Sequence, residues 1–179
     1  MVVKILQWNA RGLAAHYQEL RQLMTTHGLD VACIQETFLK EHNSCNIPGY
    51  YCVRQDRNEP RGGLAIFIRE GIKYTVHDPP TDLECQAVNI NTTVGQINVI
   101  NVYLAPGHDV TPTSTQLDHL FQFSNAIIVG DMNARNQLWG ADSDDRRGQL
   151  LEQAMFYDVY LMVLTNCWHF LLSYLVSHC

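Results

Sequence analysis

Between Arg61 and Ala105 the chain passes through four segments, "RGGLAIFIREG", "IKYTVHD", "CQAVNINTT" and "QINVINVYLA", rich in β-branched and aromatic residues with no helical period between them. Strands that follow one another without a crossover helix are joined by turns and pair antiparallel. Helical periods lie to either side. "HYQELRQLMTTHG" puts Leu20, Leu23 and Met24 on one face with Gly28 as its stop, and Pro112 to Phe123 groups Leu117, Leu120 and Phe121. "RRGQLLEQAMFYD" reads as a third helix, and "VVKILQW", "LDVACIQ", "NAIIVGD" and "VYLMVL" read as further strands. Consecutive strands in the middle with helices nearer both ends favour an α+β sandwich of two sheets over a doubly wound parallel sheet.

With 179 residues, 46% of them hydrophobic, and no Pro/Ser-rich or charge-block divider, one domain with one sizeable core is expected. The formal charge of −6 supplies no global attraction to polyanions, so a nucleic-acid contact needs a local basic face or a bound cation. Six cysteines contain no C-x-x-C pair, and Cys33 sits in the apolar run "DVACIQ". They read as reduced thiols of an intracellular protein, nuclear or cytoplasmic. "MVVKILQWNARG" is apolar over too short a run for a signal peptide. From Val159 to Cys179 there is no Asp, Glu, Lys or Arg, which length alone would admit as a membrane span. Interruptions at Thr165, Asn166, His169, Ser173, Ser177 and His178, and the lack of a basic flank, argue against that.

Polar residues gather at strand exits. Asn9 follows the first strand, Glu36 follows "ACIQ", Tyr103 closes "INVINVY", and Asp131 with Asn133 closes "AIIVG". Loops at the rim of a rigid scaffold commonly carry chemistry. Taken singly, Asn9 also reads as a turn former, Glu36 as a loop acid, Tyr103 as a half-buried rim residue, and Asp131 with Asn133 as a helix cap or Asx-turn.

Five segments in order, "ILQWNARGL", "LDVACIQETFL", "RGGLAIFIREGI", "INVINVYLAP" and "AIIVGDMNARNQLWG", give the chain a resemblance to the endonuclease/exonuclease/phosphatase superfamily. It most resembles the apurinic-like endonuclease domain of jockey-type non-LTR retrotransposons, from about Val3 to Asn166; "RGQLLEQ" also looks like the helix those domains carry after Gly-Asp-x-Asn. The resemblance implies an α/β/β/α sandwich over residues 1–166, incomplete at its C-terminal end, followed by a divergent apolar tail at 167–179. It implies Glu36 as a ligand of Mg²⁺, with Mn²⁺ as the substitute ion, and Asn9 beside it. Asp131 would take a proton from the attacking water, Asn133 would place that water or a phosphate oxygen, and Tyr103 would donate to the phosphate. Phosphoryl transfer needs in-line geometry and charge neutralisation more than covalent chemistry, which acids, amides and a metal can supply. Arg11 and Arg135 are expected at the substrate, with Arg61 and Arg69 as further flanking cations.

The implied substrate is DNA, and the implied parent is a longer protein that also carries a reverse transcriptase. A lipid or inositol phosphatase of the same superfamily and a non-catalytic remnant stand as alternatives. One departure is plain: family members end in a Ser-Asp-His triplet whose His contacts the scissile phosphate, and no such triplet occurs here; "VSHC" offers Ser177 and His178 without the Asp. Impaired turnover is the expectation.

Overall fold

The computed structural model describes residues 2–58, 61–93, 95–107, 111–155, 161–164 and 169–175. The strands are β1 (Val2–Asn9), β2 (Val31–Gln35), β3 (Tyr50–Gln55), β4 (Leu64–Arg69), β5 (Tyr74–His77), β6 (Glu84–Thr92), β7 (Gly95–Tyr103), β8 (Ala126–Asp131), β9 (Leu161–Leu164) and β10 (His169–Leu175). The helices are α1 (Leu13–His27), α2 (Ser114–Phe121) and α3 (Arg146–Met155). Two five-stranded sheets form, in the orders β10-β1-β2-β4-β3 and β5-β6-β7-β8-β9. In the first sheet β1 and β2 are parallel with antiparallel partners on both sides, and in the second β7, β8 and β9 run parallel while β5, β6 and β7 pair antiparallel. The α+β two-sheet sandwich read from the sequence is the observed fold.

Period-2 alternation divides the apolar residues between layers. Val3, Ile5, Cys33, Val99, Ile127 and Val129 meet between the sheets. Leu6, Trp8, Ala32 and Ile34, from the opposite face of β1 and β2, pack on Leu13, Leu20 and Met24 of α1. Ile100, Val102 and Ile128 do the same with Leu117 and Leu120 of α2 and Leu151 of α3. Gly28 ends α1 in the left-handed conformation, its N–H reaching the carbonyls of Met24 and Thr25. α2 opens with a reciprocal capping box between Thr113 and Gln116.

Strand β3 is not legible as a strand in the sequence, because its exposure does not alternate cleanly and it lies at a sheet edge. The apolar segment after Asn166 contributes β10, antiparallel to β1 from Val2↔Leu175 to Trp8↔His169, which covers that side of β1. Cys167, Ser177, His178 and Cys179 lie outside the described residues. Among the described residues no helix is long and apolar enough to cross a membrane.

Candidate active site

The inward-facing positions of the central strands change character toward one rim. On β1 the series Val3, Ile5, Gln7, Asn9 shares a face; on β2 Val31, Cys33, Gln35; on β7 Ile97, Val99, Asn101, Tyr103; on β8 Ile127, Val129, Asp131. Apolar side chains thus give way first to amides, then to the groups at the rim. The amides are satisfied by one another: Gln7 Nε2 donates to Gln35 Oε1 at 2.6 Å, and Gln35 Nε2 to Asn101 Oδ1 at 2.6 Å. Asn101 Nδ2 in turn donates to the carbonyls of Ile34 and Ala65. This bonded chain crosses from one sheet to the other immediately beneath the rim.

Asn9 joins the two carboxylates above it. Its Nδ2 donates to Glu36 Oε1 at 2.7 Å and to Asp131 Oδ2 at 2.6 Å, while its Oδ1 accepts the N–H of Arg11. Its Oδ1 thus holds the turn after β1, as the turn-forming reading has it, while its Nδ2 ties the two carboxylates together. Continued extension beyond Gln35 would turn residue 36 away from the facing sheet; instead Glu36 takes a positive φ of 50° and meets Asn9. The departure is held by backbone bonds, Gly12 N–H to Glu36 O and Thr37 N–H to Gly63 O. Gly63 itself is required there, because a Cβ on it would lie 2.6 Å from Thr37 Oγ1.

Asn133 also has positive φ, 45°. Its N–H donates to Asp131 Oδ1 and its Nδ2 to the carbonyl of Leu104, so the Asx-turn reading is met, and the same bonds fix the direction of Asp131. Tyr103 is 3% exposed. Burial first, then the charge and hydrogen bond of Glu36, then Asp131 and Glu84, push its phenol well above the usual tyrosine range.

Glu36, Tyr103, Asp131 and Asn133 line a cavity of about 480 Å³ together with Arg11, Phe38, Arg57 and Arg61. Arg69, by contrast, pairs with Asp30, which also accepts the N–H of Lys4 near the opposite end of β1. Arg135 is turned outward, 3.7 Å from Asp145. Two residues near the site escaped the sequence reading: Arg57, which lines this cavity, and Glu84, which pairs with Arg57 at 2.8 Å and lies opposite Tyr103 in the β6–β7 register. The "NINTTVGQINV" hairpin could have placed Glu84, since pairing Thr92 with Gly95 carries the register to Tyr103.

The donors at the rim are carboxylate and carboxamide oxygens, and among the described residues no group of three or more His, Cys, Asp or Glu could hold a metal. The carboxylate oxygens of Glu36 and Asp131 suit a hard ion that keeps water and takes substrate oxygens, such as Mg²⁺, while Asn9 turns its Nδ2 donor toward both.

Comparison with known proteins places the chain by family and fold. The family described as Endonuclease/Exonuclease/phosphatase matches residues 6–175. The RNA-directed DNA polymerase from mobile element jockey of Drosophila melanogaster is 30% identical over 173 residues, 92% of this chain and 18% of the relative. The probable RNA-directed DNA polymerase from transposon X-element of the same organism is 32% identical over 156 residues, 83% of this chain and 17% of the relative. The chain therefore spans under a fifth of the length of these curated relatives. Among solved structures, the endonuclease domain of TRAS1, a telomere-specific non-LTR retrotransposon, is similar with a TM-score of 0.71 and 21% identity, over 87% of this chain and 72% of that one. The AP endonuclease LMAP from Leishmania major is similar with a TM-score of 0.70 and 15% identity, over 87% and 66%. At those identities the structural likeness speaks to the fold.

Proposed function

The chain belongs to the endonuclease/exonuclease/phosphatase family, and from that premise we propose that it hydrolyses phosphodiester bonds of DNA, cutting one strand to leave a 3′-hydroxyl. The relatives' names, polymerases of mobile elements, and the TRAS1 endonuclease likeness support a target-nicking role within a longer protein that also carries a reverse transcriptase. The observation that carries the reading is the Asn9 amide, which holds Glu36 and Asp131 on either side of one cavity mouth.

Asp131, oriented by Asn9 and by the N–H of Asn133, takes the proton of the attacking water. Asn133, anchored through Nδ2 to Leu104, turns its Oδ1 toward that water or its amide edge toward a phosphate oxygen. Tyr103 is protonated at neutral pH as an ordinary phenol is, and it serves as a hydrogen-bond donor to the phosphate by turning its O–H from Glu36. Arg11 and Arg61 at the mouth neutralise the flanking phosphates. Glu36, with Asn9 at its side, would hold a divalent ion, which when bound would supply charge neutralisation at the scissile phosphate.

Supercoiled plasmid incubated with the chain in Mg²⁺ tests the reading. Nicking, abolished by EDTA and by Glu36→Ala or Asp131→Ala, is expected. A folded protein that never nicks, even in excess over plasmid, supports the non-catalytic remnant instead.

A further inference from the structure

Arg147, the second residue of α3, is 5% exposed, and four main-chain carbonyls accept from its guanidinium. Nη1 donates to Met132 O at 3.0 Å and Asn133 O at 3.1 Å; Nη2 donates to Ala105 O at 3.2 Å and Gly107 O at 3.0 Å. The first two carbonyls belong to the loop after β8, the last two to the loop after β7. Burying a cation costs stability unless its donors are met, and here four of its bonds join two loops.

Those loops emerge directly from Tyr103 and Asp131, the last residues of β7 and β8, which sit side by side in the parallel register. We infer that Arg147 is a positioning residue: its planar fork holds the two loops as one unit and thereby sets Tyr103 and Asp131 relative to the scissile phosphate. The inference rests on the nuclease reading for its consequence, but the clamp itself is independent of it. α3 is well placed to act as the anchor, for it is fastened to the same segment by Asp145 N–H to Arg135 O and by Asn136 Nδ2 to Glu152. Gly148 lets it approach, since a Cβ there would fall 1.9 Å from Arg135 O. A lysine in place of Arg147 presents its donors from a single nitrogen and cannot span both loops.

Hydrogen exchange and kinetics on Arg147→Lys test this. Amides of residues 104–107 and 131–134 should lose protection together, while those of residues 9–13 and 35–38 keep theirs. On plasmid, kcat should fall roughly 10- to 100-fold with KM held within about twofold. Loss of protection in α3 alone or in one loop only, or an unchanged kcat with faster exchange in both loops, overturns the positioning role. If Arg147→Lys does not fold, the wild type decides: the two loops' amides should exchange with a common urea dependence, as one opening unit, and different dependences overturn the clamp. A wild type that shows the common opening but never nicks defeats the nuclease reading and leaves the clamp standing.

Discussion

Asn9 and Asp131 stand 122 positions apart in the chain and are joined across the two sheets by a 2.6 Å hydrogen bond, the amide donating to the carboxylate. The same nitrogen serves Glu36, so one side chain keeps two carboxylates at a common mouth. Asn9→Ala removes a donor from each, and hydrogen bonds to charged groups contribute about 1.5–3 kcal/mol apiece, so a loss of about 3 kcal/mol is expected. Asn9→Asp is expected to be worse in EDTA, because it adds a third negative group, and to recover more than the wild type when millimolar Mg²⁺ is added. Urea unfolding midpoints with and without Mg²⁺ measure both. Equal stability of the two variants in EDTA would show that the carboxylates do not sense one another.

The amides below the rim give opposite expectations at facing positions. Asn101→Leu leaves Gln35 Nε2 with only its 3.3 Å bond to Cys33 O and withdraws a donor from two carbonyls, at a cost of about 3 kcal/mol. Gln86, its partner in the β6–β7 register, is also buried, yet its Oε1 has no hydrogen-bond partner among the described residues. Gln86→Met is therefore expected to be neutral or to stabilise by about 1 kcal/mol. Chemical denaturation of both variants checks the contrast, and a large loss on Gln86→Met would reveal a polar partner for that amide.

These amides mark where sequence reading stops. Periodicity locates α1, β4, β6 and β7 because their apolar residues repeat locally, and strand-end polarity singles out Asn9, Glu36, Tyr103, Asp131 and Asn133. Gln7, Gln35 and Asn101 look like solvent-facing residues of alternating strands, since nothing local tells a polar side chain that another sheet lies over it. Arg147 reads as the exposed start of a helix for the same reason, and its burial follows only from docking α3 against two loops distant in sequence. Arg69 was misplaced by the converse effect: an arginine at a strand end carries no sign of which end faces the site, and antiparallel β4 sends it to the far one.

Gly130 answers why "AIIVGD" closes on a glycine. In the β7–β8 register it lies opposite Val102, and a Cβ there would sit 2.0 Å from the Val102 carbonyl oxygen, a main-chain atom that cannot step aside. Gly130→Ala is expected to cost about 3 kcal/mol by overpacking and to displace Asp131 from Asn9, lowering nicking per folded molecule. Gly28→Ala is the control. It meets no atom within 4 Å but must hold a φ of 56°, so about 1 kcal/mol should be lost with nicking per folded molecule unchanged. Thermal unfolding and plasmid nicking on each variant compare them, and equal nicking in both would remove the link between Gly130 and the site.

Tyr103 predicts how stability depends on alkaline pH. Its folded phenol holds its proton beyond the ordinary value of about 10, through burial and then through Glu36, Asp131 and Glu84. Below that pH the phenol is protonated in both folded and unfolded chains, and the stabilising difference is fully present. As pH rises past about 10 the unfolded chain releases the proton while the folded chain retains it, so stability falls, by up to about 1.4 kcal/mol per pH unit for this one group. Tyr103→Phe removes that contribution, although Tyr50, also raised by burial, leaves a residual slope of the same sign. Unfolding free energies of both proteins across this range, compared by difference, isolate Tyr103. Parallel curves for the two would mean that the phenol titrates freely and that the carboxylates around it are screened by solvent.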